Sequence, residues 1–175
     1  MTSLTSSVLS PAATAALPSA YDRVAATTTT ALTSKRELLA LSRALEGRAL
    51  AGGATTVLVT FQDRRHVTAA TRASYARLTR TGTRVSIFAR GLVSDYSPDS
   101  DGLLHVALRA EDPLVLEWDI VVLGAQPFAL VAKDQDPGTA VVGADMSRPF
   151  RWARTTDPVL VERAAAALLA RIPAA

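Results

Sequence analysis

The chain has 175 residues, 49% of them hydrophobic and 20% charged, with a mean hydropathy of +0.19. That is long and apolar enough for one domain with its own core, and it excludes a mainly disordered chain. The absence of cysteine excludes disulfides, cysteine-ligated zinc and thiol chemistry, and the net charge of +3 comes from dispersed arginines rather than a basic block.

Residues 1–33 are Ser, Thr and Ala with Pro11 and Pro18, ending in the tract Thr27 to Thr30. Too few large apolar groups are present to offset the entropy of ordering, so the composition predicts a mobile tail. Tyr21, Arg23 and Val24 are the residues there with something to pack. Ser34 then opens a helix, because Ser34 and Glu37 have capping-box spacing. Leu38, Leu41, Leu45 and Ala49 fall on one face, Leu39 and Leu50 widen it, and Gly52-Gly53 ends it.

Thr55 to Arg90 reads as strand, polar loop, helix, strand. Val57, Val59 and Phe61 alternate with Thr56, Leu58 and Thr60, which suits an inner strand covered on both faces. Val85, Ile87 and Ala89 alternate with Ser86 and Phe88 in the same way. Thr68 to Thr81 is helical in pattern with Gly82 as the stop, so the unit is a right-handed crossover joining parallel strands. The loop GLVSDYSPDSDG, residues 91–102, is longer than most connections. A third strand runs from about Leu103 to Arg109, and Glu111-Asp112-Pro113 breaks it. EWDIVVL and FALVAK are two strands joined by Gly124 to Pro127, a hairpin and hence antiparallel. Asp134 to Ser147 reads as loop, with Pro137-Gly138 as a turn. Phe150, Trp152 and Arg154 suggest one more short strand. Asp157 and Pro158 start a last helix whose buried face is Leu160, Val161, Ala164, Leu168 and Leu169, and Pro173 stops it. The sum is a single three-layer α/β domain over residues 34–172, with a mixed sheet that begins as parallel β-α-β and continues as an antiparallel meander.

The chemistry is sparse. His66 and His105 have no carboxylate at metal-ligand spacing, so no metal site is expected. Neither G-x-S-x-G nor a Gly-rich phosphate loop occurs, and no catalytic set emerges. No apolar run approaches the ~18 residues of a membrane span, and no secretory leader is evident, so the expectation is a soluble cytoplasmic protein. Nothing points to nucleic acid or a membrane as partner. QDRRH is the densest polar cluster and precedes a helix, so Arg64, Arg65 and backbone amides can hold an anion there. A solvated loop in which Asp63 pairs with an arginine is the alternative, and spacing alone favours it. Trp118, Trp152, Tyr75 and Leu78 read first as core, and Arg72, Arg77, Arg80 and Arg84 as a solvated face.

Several segments together resemble one family. They are SKRELLALSRALE, the strand ending in Phe61-Gln62, the helix with TRASYARL, the strand VSIFAR, the EWDIVVL hairpin and FRWARTTDPVLVERAA. Their order and spacing resemble the DICT sensory domain, found in bacteria beside diguanylate cyclase and two-component modules. The resemblance covers about residues 34–172. It implies a non-enzymatic signal-sensing domain, often connected with light responses, and brings no known ligand, cofactor or catalytic set. With no output module in the chain, the expected partner is a signalling protein on a separate chain.

A site is then expected where sites gather in open α/β sheets, at the carboxyl ends of parallel strands. Phe61, Gln62, Arg64, His66, Phe88 and Arg90 are the expected ligand-binding residues, with Trp118 and Trp152 in second rank. The ligand is a small molecule or chromophore, and the Gly91 to Gly102 loop is the expected moving part. The alternative is a protein-interaction module without a small ligand, dimerising as a homodimer.

Overall fold

Strand β2, Ala54–Asp63, lies in the interior of the sheet because it is apolar on both faces. Val57, Val59 and Phe61 pack on one face and Leu58 on the other, and all four are buried. The computed structural model describes residues 17–51, 53–137 and 146–173. Around β2 are arranged β1 (Ala31–Ser34), β3 (Arg84–Arg90), β4 (Leu103–Leu108), β5 (Glu117–Gly124), β6 (Phe128–Asp134) and β7 (Pro149–Thr155). The helices are α1 (Ala20–Ala25), α2 (Lys35–Ala51), α3 (Ala69–Thr79) and α4 (Pro158–Leu169), with short 3₁₀ turns at Arg64–His66 and Pro113–Leu116.

The seven strands form one mixed sheet in the order β1-β7-β6-β5-β2-β3-β4. β2, β3 and β4 are parallel, and every pairing from β2 through β5, β6 and β7 to β1 is antiparallel. Helices α2 and α3 bury Leu38, Ala49, Tyr75 and Leu78 against one face. Helices α1 and α4 bury Tyr21, Val24, Val161 and Leu168 against the other. The three-layer α/β architecture with its parallel start and antiparallel meander is therefore present.

Local chemistry sets the boundaries. The Ser34 amide and hydroxyl both donate to a Glu37 carboxylate oxygen at 2.9 Å, while the Glu37 amide donates back to Ser34 Oγ. Thr68 caps α3 and Asp157 caps α4, each accepting from an amide of the first turn. Gly82 follows α3 with φ +86°, the left-handed conformation that glycine adopts without strain. Gly124 closes β5 where a Cβ would lie 2.6 Å from the Gly53 carbonyl oxygen, so no other residue fits that crossing without displacement.

Two differences from the sequence reading concern the ends and the loops. Residues 1–33 read as a tail, yet Ala20–Ala25 is a helix with Ala20, Tyr21 and Val24 buried, and Ala31–Ser34 pairs with β7. The rest of that expectation, residues 1–16, lies outside the described residues, as do Gly52 and residues 138–145 of the long loop before β7. The folded part thus starts earlier than residue 34, and a six-residue helix too short to be stable alone is held by a tertiary anchor. That anchor is Glu117, which accepts the Tyr21 amide at 3.0 Å and the Ser19 hydroxyl.

The 91–102 loop is pinned at its far end. Arg72 on α3 donates to Asp99 at 2.7 Å and to Asp101 at 3.0 Å, and the His105 ring lies 2.9 Å from Asp99. Burial opposes charge on Asp99, but the Leu103 amide, the His105 ring and Arg72 outweigh it and hold the carboxyl at about 2. Arg72 is thus tied into an ion-pair network while its side chain stays 36% exposed.

Candidate functional site

A groove of about 590 Å³ opens between α2 and α3, beside the carboxyl end of β2. This is within the range of small-molecule sites. Its aromatic surface is Phe61 from β2 and Trp118 from β5, with ring centroids 6.4 Å apart. Phe61 is buttressed edge-on by Tyr75 at 6.3 Å, and Trp118 edge-on by Phe150 at 6.3 Å, so both rings are held by packing. Strand alternation produces this pairing. Phe61 and Trp118 project from the sheet face that α2 and α3 cover.

The α2 wall contributes Lys35, Leu39, Ser42, Arg43, Glu46, Gly47 and Leu50. The α3 side contributes Thr68, Thr71, Ser74 and Arg77. Glu46 is occupied, accepting from Tyr75 Oη at 2.8 Å and from Ser74 Oγ at 3.2 Å. Burial and the neighbouring Glu46 charge push the Tyr75 phenol well above its ordinary range, so it stays a donor. Ser42 is 3% exposed, and among the described residues its Oγ is the buried side-chain polar atom left without a hydrogen-bond partner. An orphan of that kind costs roughly 1–3 kcal/mol. His66 sits at the mouth, half-buried. Burial, then the charges of Lys35 and Arg65, push its pKa below the ordinary histidine value, so the ring is neutral at pH 7.

The eight residues expected at the site separate. Phe61, His66 and Trp118 meet in the groove. Gln62 instead donates to Asp134 at 2.7 Å, helping to satisfy a buried carboxylate that Arg148 also engages. Arg64 lies over Gly91, with its Cδ 3.3 Å from where a Cβ would stand. Arg90 pairs with Asp63 at 3.0 Å. Phe88 is fully buried on the opposite face, in the core that α1 and α4 share. Trp152 packs on the α2 side of the sheet but on β7, outside the groove lining. The α2 residues were missed, although one signal was there: Ser42 and Glu46 interrupt the apolar stripe of Leu38, Leu45 and Ala49 at helical spacing.

Two fully buried carboxyls stand on the other face of β5. Glu117 holds α1, and Asp119 accepts from Thr60 Oγ1 at 3.1 Å. Burial raises both pKa values, and for Asp119 the nearby Glu117 adds to it. Neither carboxyl lines the groove. Among the described residues no group of three or more metal-ligating side chains gathers, and no helix is long and apolar enough to cross a membrane.

Residues 19–134 match the sequence model of DICT, described as a sensory domain in diguanylate cyclases and two-component systems. The match begins at Ser19, the residue that caps α1 and donates to Glu117. No curated protein matches the chain. Among solved structures it is similar to polyphosphate kinase from Porphyromonas gingivalis, with TM-score 0.52 and 13% identity, covering 83% of this chain and 23% of that one. At that identity the likeness concerns the fold alone, and the chain spans under a quarter of that enzyme's length. NucT from Helicobacter pylori aligns with TM-score 0.43 and 10% identity over 82% of this chain and 94% of that one.

Proposed function

The chain belongs to the DICT sensory-domain family, and on that premise we propose that it senses a small ligand or chromophore in the groove between α2 and α3. One observation carries the location. The groove is a preformed cavity of about 590 Å³ with an aromatic surface and, in Ser42, a buried polar group lacking a partner among the described residues. A ligand changes the state of a protein only through different affinity for two arrangements. Here α2 and α3 are the two walls, so occupancy alters how they sit on the sheet, and a separate signalling protein reads that change. No catalytic role is assigned to any residue.

The test is native mass spectrometry with a UV–visible spectrum on protein purified gently from its own host. A bound mass on the folded chain is the expected result, and visible absorption with it makes the signal light. A chain that carries no added mass under conditions preserving its fold contradicts ligand sensing and favours a protein-interaction module or homodimer. The four-residue edge strand β1, with Leu32 60% exposed, is the surface such an interaction would use first.

A further inference from the structure

Three cationic side chains, Lys35, Arg43 and Arg77, line the groove, and the one carboxylate among the described lining residues is Glu46. Glu46 is already committed to Tyr75 and Ser74. Three cations against one carboxylate give the described lining a net positive charge. The first turn of α3, through Thr68, Ala70 and Thr71, lines the same space and adds the positive end of an eleven-residue helix. Opposite these groups lie two fixed aromatic rings, Phe61 and Trp118. Ser42 supplies a hydroxyl with no hydrogen-bond partner among the described residues. Gly47, on the α2 wall, leaves room there, since a Cβ at that position meets nothing within 4 Å.

From this combination we infer that the groove selects a flat aromatic anion, a ring system bearing a carboxylate or a phosphate. The ring lies against Phe61 and Trp118, and the exposed Arg43 and Arg77 meet its charge. A neutral aromatic would form no ion pair with Arg43 or Arg77, and an aromatic cation would be repelled. An inorganic anion would leave the aromatic surface wet. The inference rests on the reading of the groove as the sensory site, and it names the class of ligand.

The experiment uses the full chain carrying Trp152→Phe, so that Trp118 gives the single indole N–H resonance of a protein with two tryptophans. That resonance is followed by NMR during titration with 2-naphthoate, 2-naphthyl phosphate, 2-naphthamide and 2-naphthylmethylamine. The expected result is that one or both anions shift Trp118 with at least about tenfold tighter affinity than the amide, as a charge-assisted contact provides. Arg43→Gln with Arg77→Gln removes that preference without lowering the melting temperature, because both residues are exposed. Gly47→Phe abolishes the shift. If the amide or the amine binds as well as the anions, the anionic class is overturned while the groove remains a ligand site. If none of the four probes perturbs Trp118, the class and the sensory reading of the groove are overturned together.

Discussion

Replacing Tyr21 by Ala tests whether the amino-terminal segment belongs to the domain. Tyr21 is 7% exposed and packs with Val24, Val161 and Leu168 between α1, α4 and the sheet. Its ring also lies 5.8 Å from Lys133 Nζ. Truncating a buried aromatic to Ala costs about 3–5 kcal/mol. The lower end applies, because α1 has six residues and can detach, which lets water reach Glu117 and recovers part of its desolvation. About 3 kcal/mol at roughly 2–4 °C per kcal/mol is a fall in melting temperature of about 6–12 °C. Thermal unfolding followed by circular dichroism measures the shift, and hydrogen exchange measures protection of the Tyr21 amide bonded to Glu117. A melting temperature within about 2 °C of wild type, with a fast-exchanging Tyr21 amide, refutes the docking and restores a mobile tail.

Arg171 and Asp112 form a buried bidentate pair with side chains 3% and 5% exposed and contacts of 2.8 and 3.0 Å. Arg171→Ala strands the Asp112 carboxylate and is expected to cost about 3–5 kcal/mol in chemical denaturation; a loss under 1 kcal/mol contradicts this. Asp119 has its pKa raised in the folded state by burial, then by Glu117, so the native chain holds a proton that the unfolded chain releases above about pH 4. The Asp119 contribution to stability therefore falls as pH rises from about 4 toward the raised folded value, and Asp119→Asn removes that falling contribution from the pH dependence. An unchanged slope in urea titrations across pH 4 to 7 counts against it. Ser42→Ala removes an orphaned hydroxyl and is expected to stabilise the ligand-free chain by about 1 kcal/mol. A loss of stability would show that the hydroxyl has a partner in solution.

What the sequence revealed was local. The capping box of Ser34 and Glu37, the Asp157-Pro158 helix start and the two-faced strands β2 and β3 follow from a few neighbouring residues each. The site was harder, because it depends on register. In the parallel pairing Thr60 lies beside Phe88 and Phe61 beside Ala89, so Phe61 and Phe88 must face opposite layers although both stand near carboxyl ends of neighbouring strands. Trp152 shares a face with Trp118, but β7 is two strands beyond β5, roughly 10 Å away across the sheet. Helix α1 could not be foreseen, since its anchor Glu117 is 98 residues from Ser19. The α2 wall left one trace in the sequence, Ser42 and Glu46 interrupting its apolar stripe, and only the fold shows that they face the groove.

The groove between α2 and α3 is the proposed seat of the signal ligand. The direct test compares wild type with Gly47→Phe, each purified from the native host and weighed intact under non-denaturing conditions. Gly47 is helical and lines the groove, and a Cβ added there meets nothing within 4 Å, so Phe is tolerated by the fold and puts a large side chain at the groove's α2 wall. Wild type is expected to carry a bound small molecule that is missing from Gly47→Phe at an unchanged melting temperature. The same added mass on both proteins would place the ligand outside this groove.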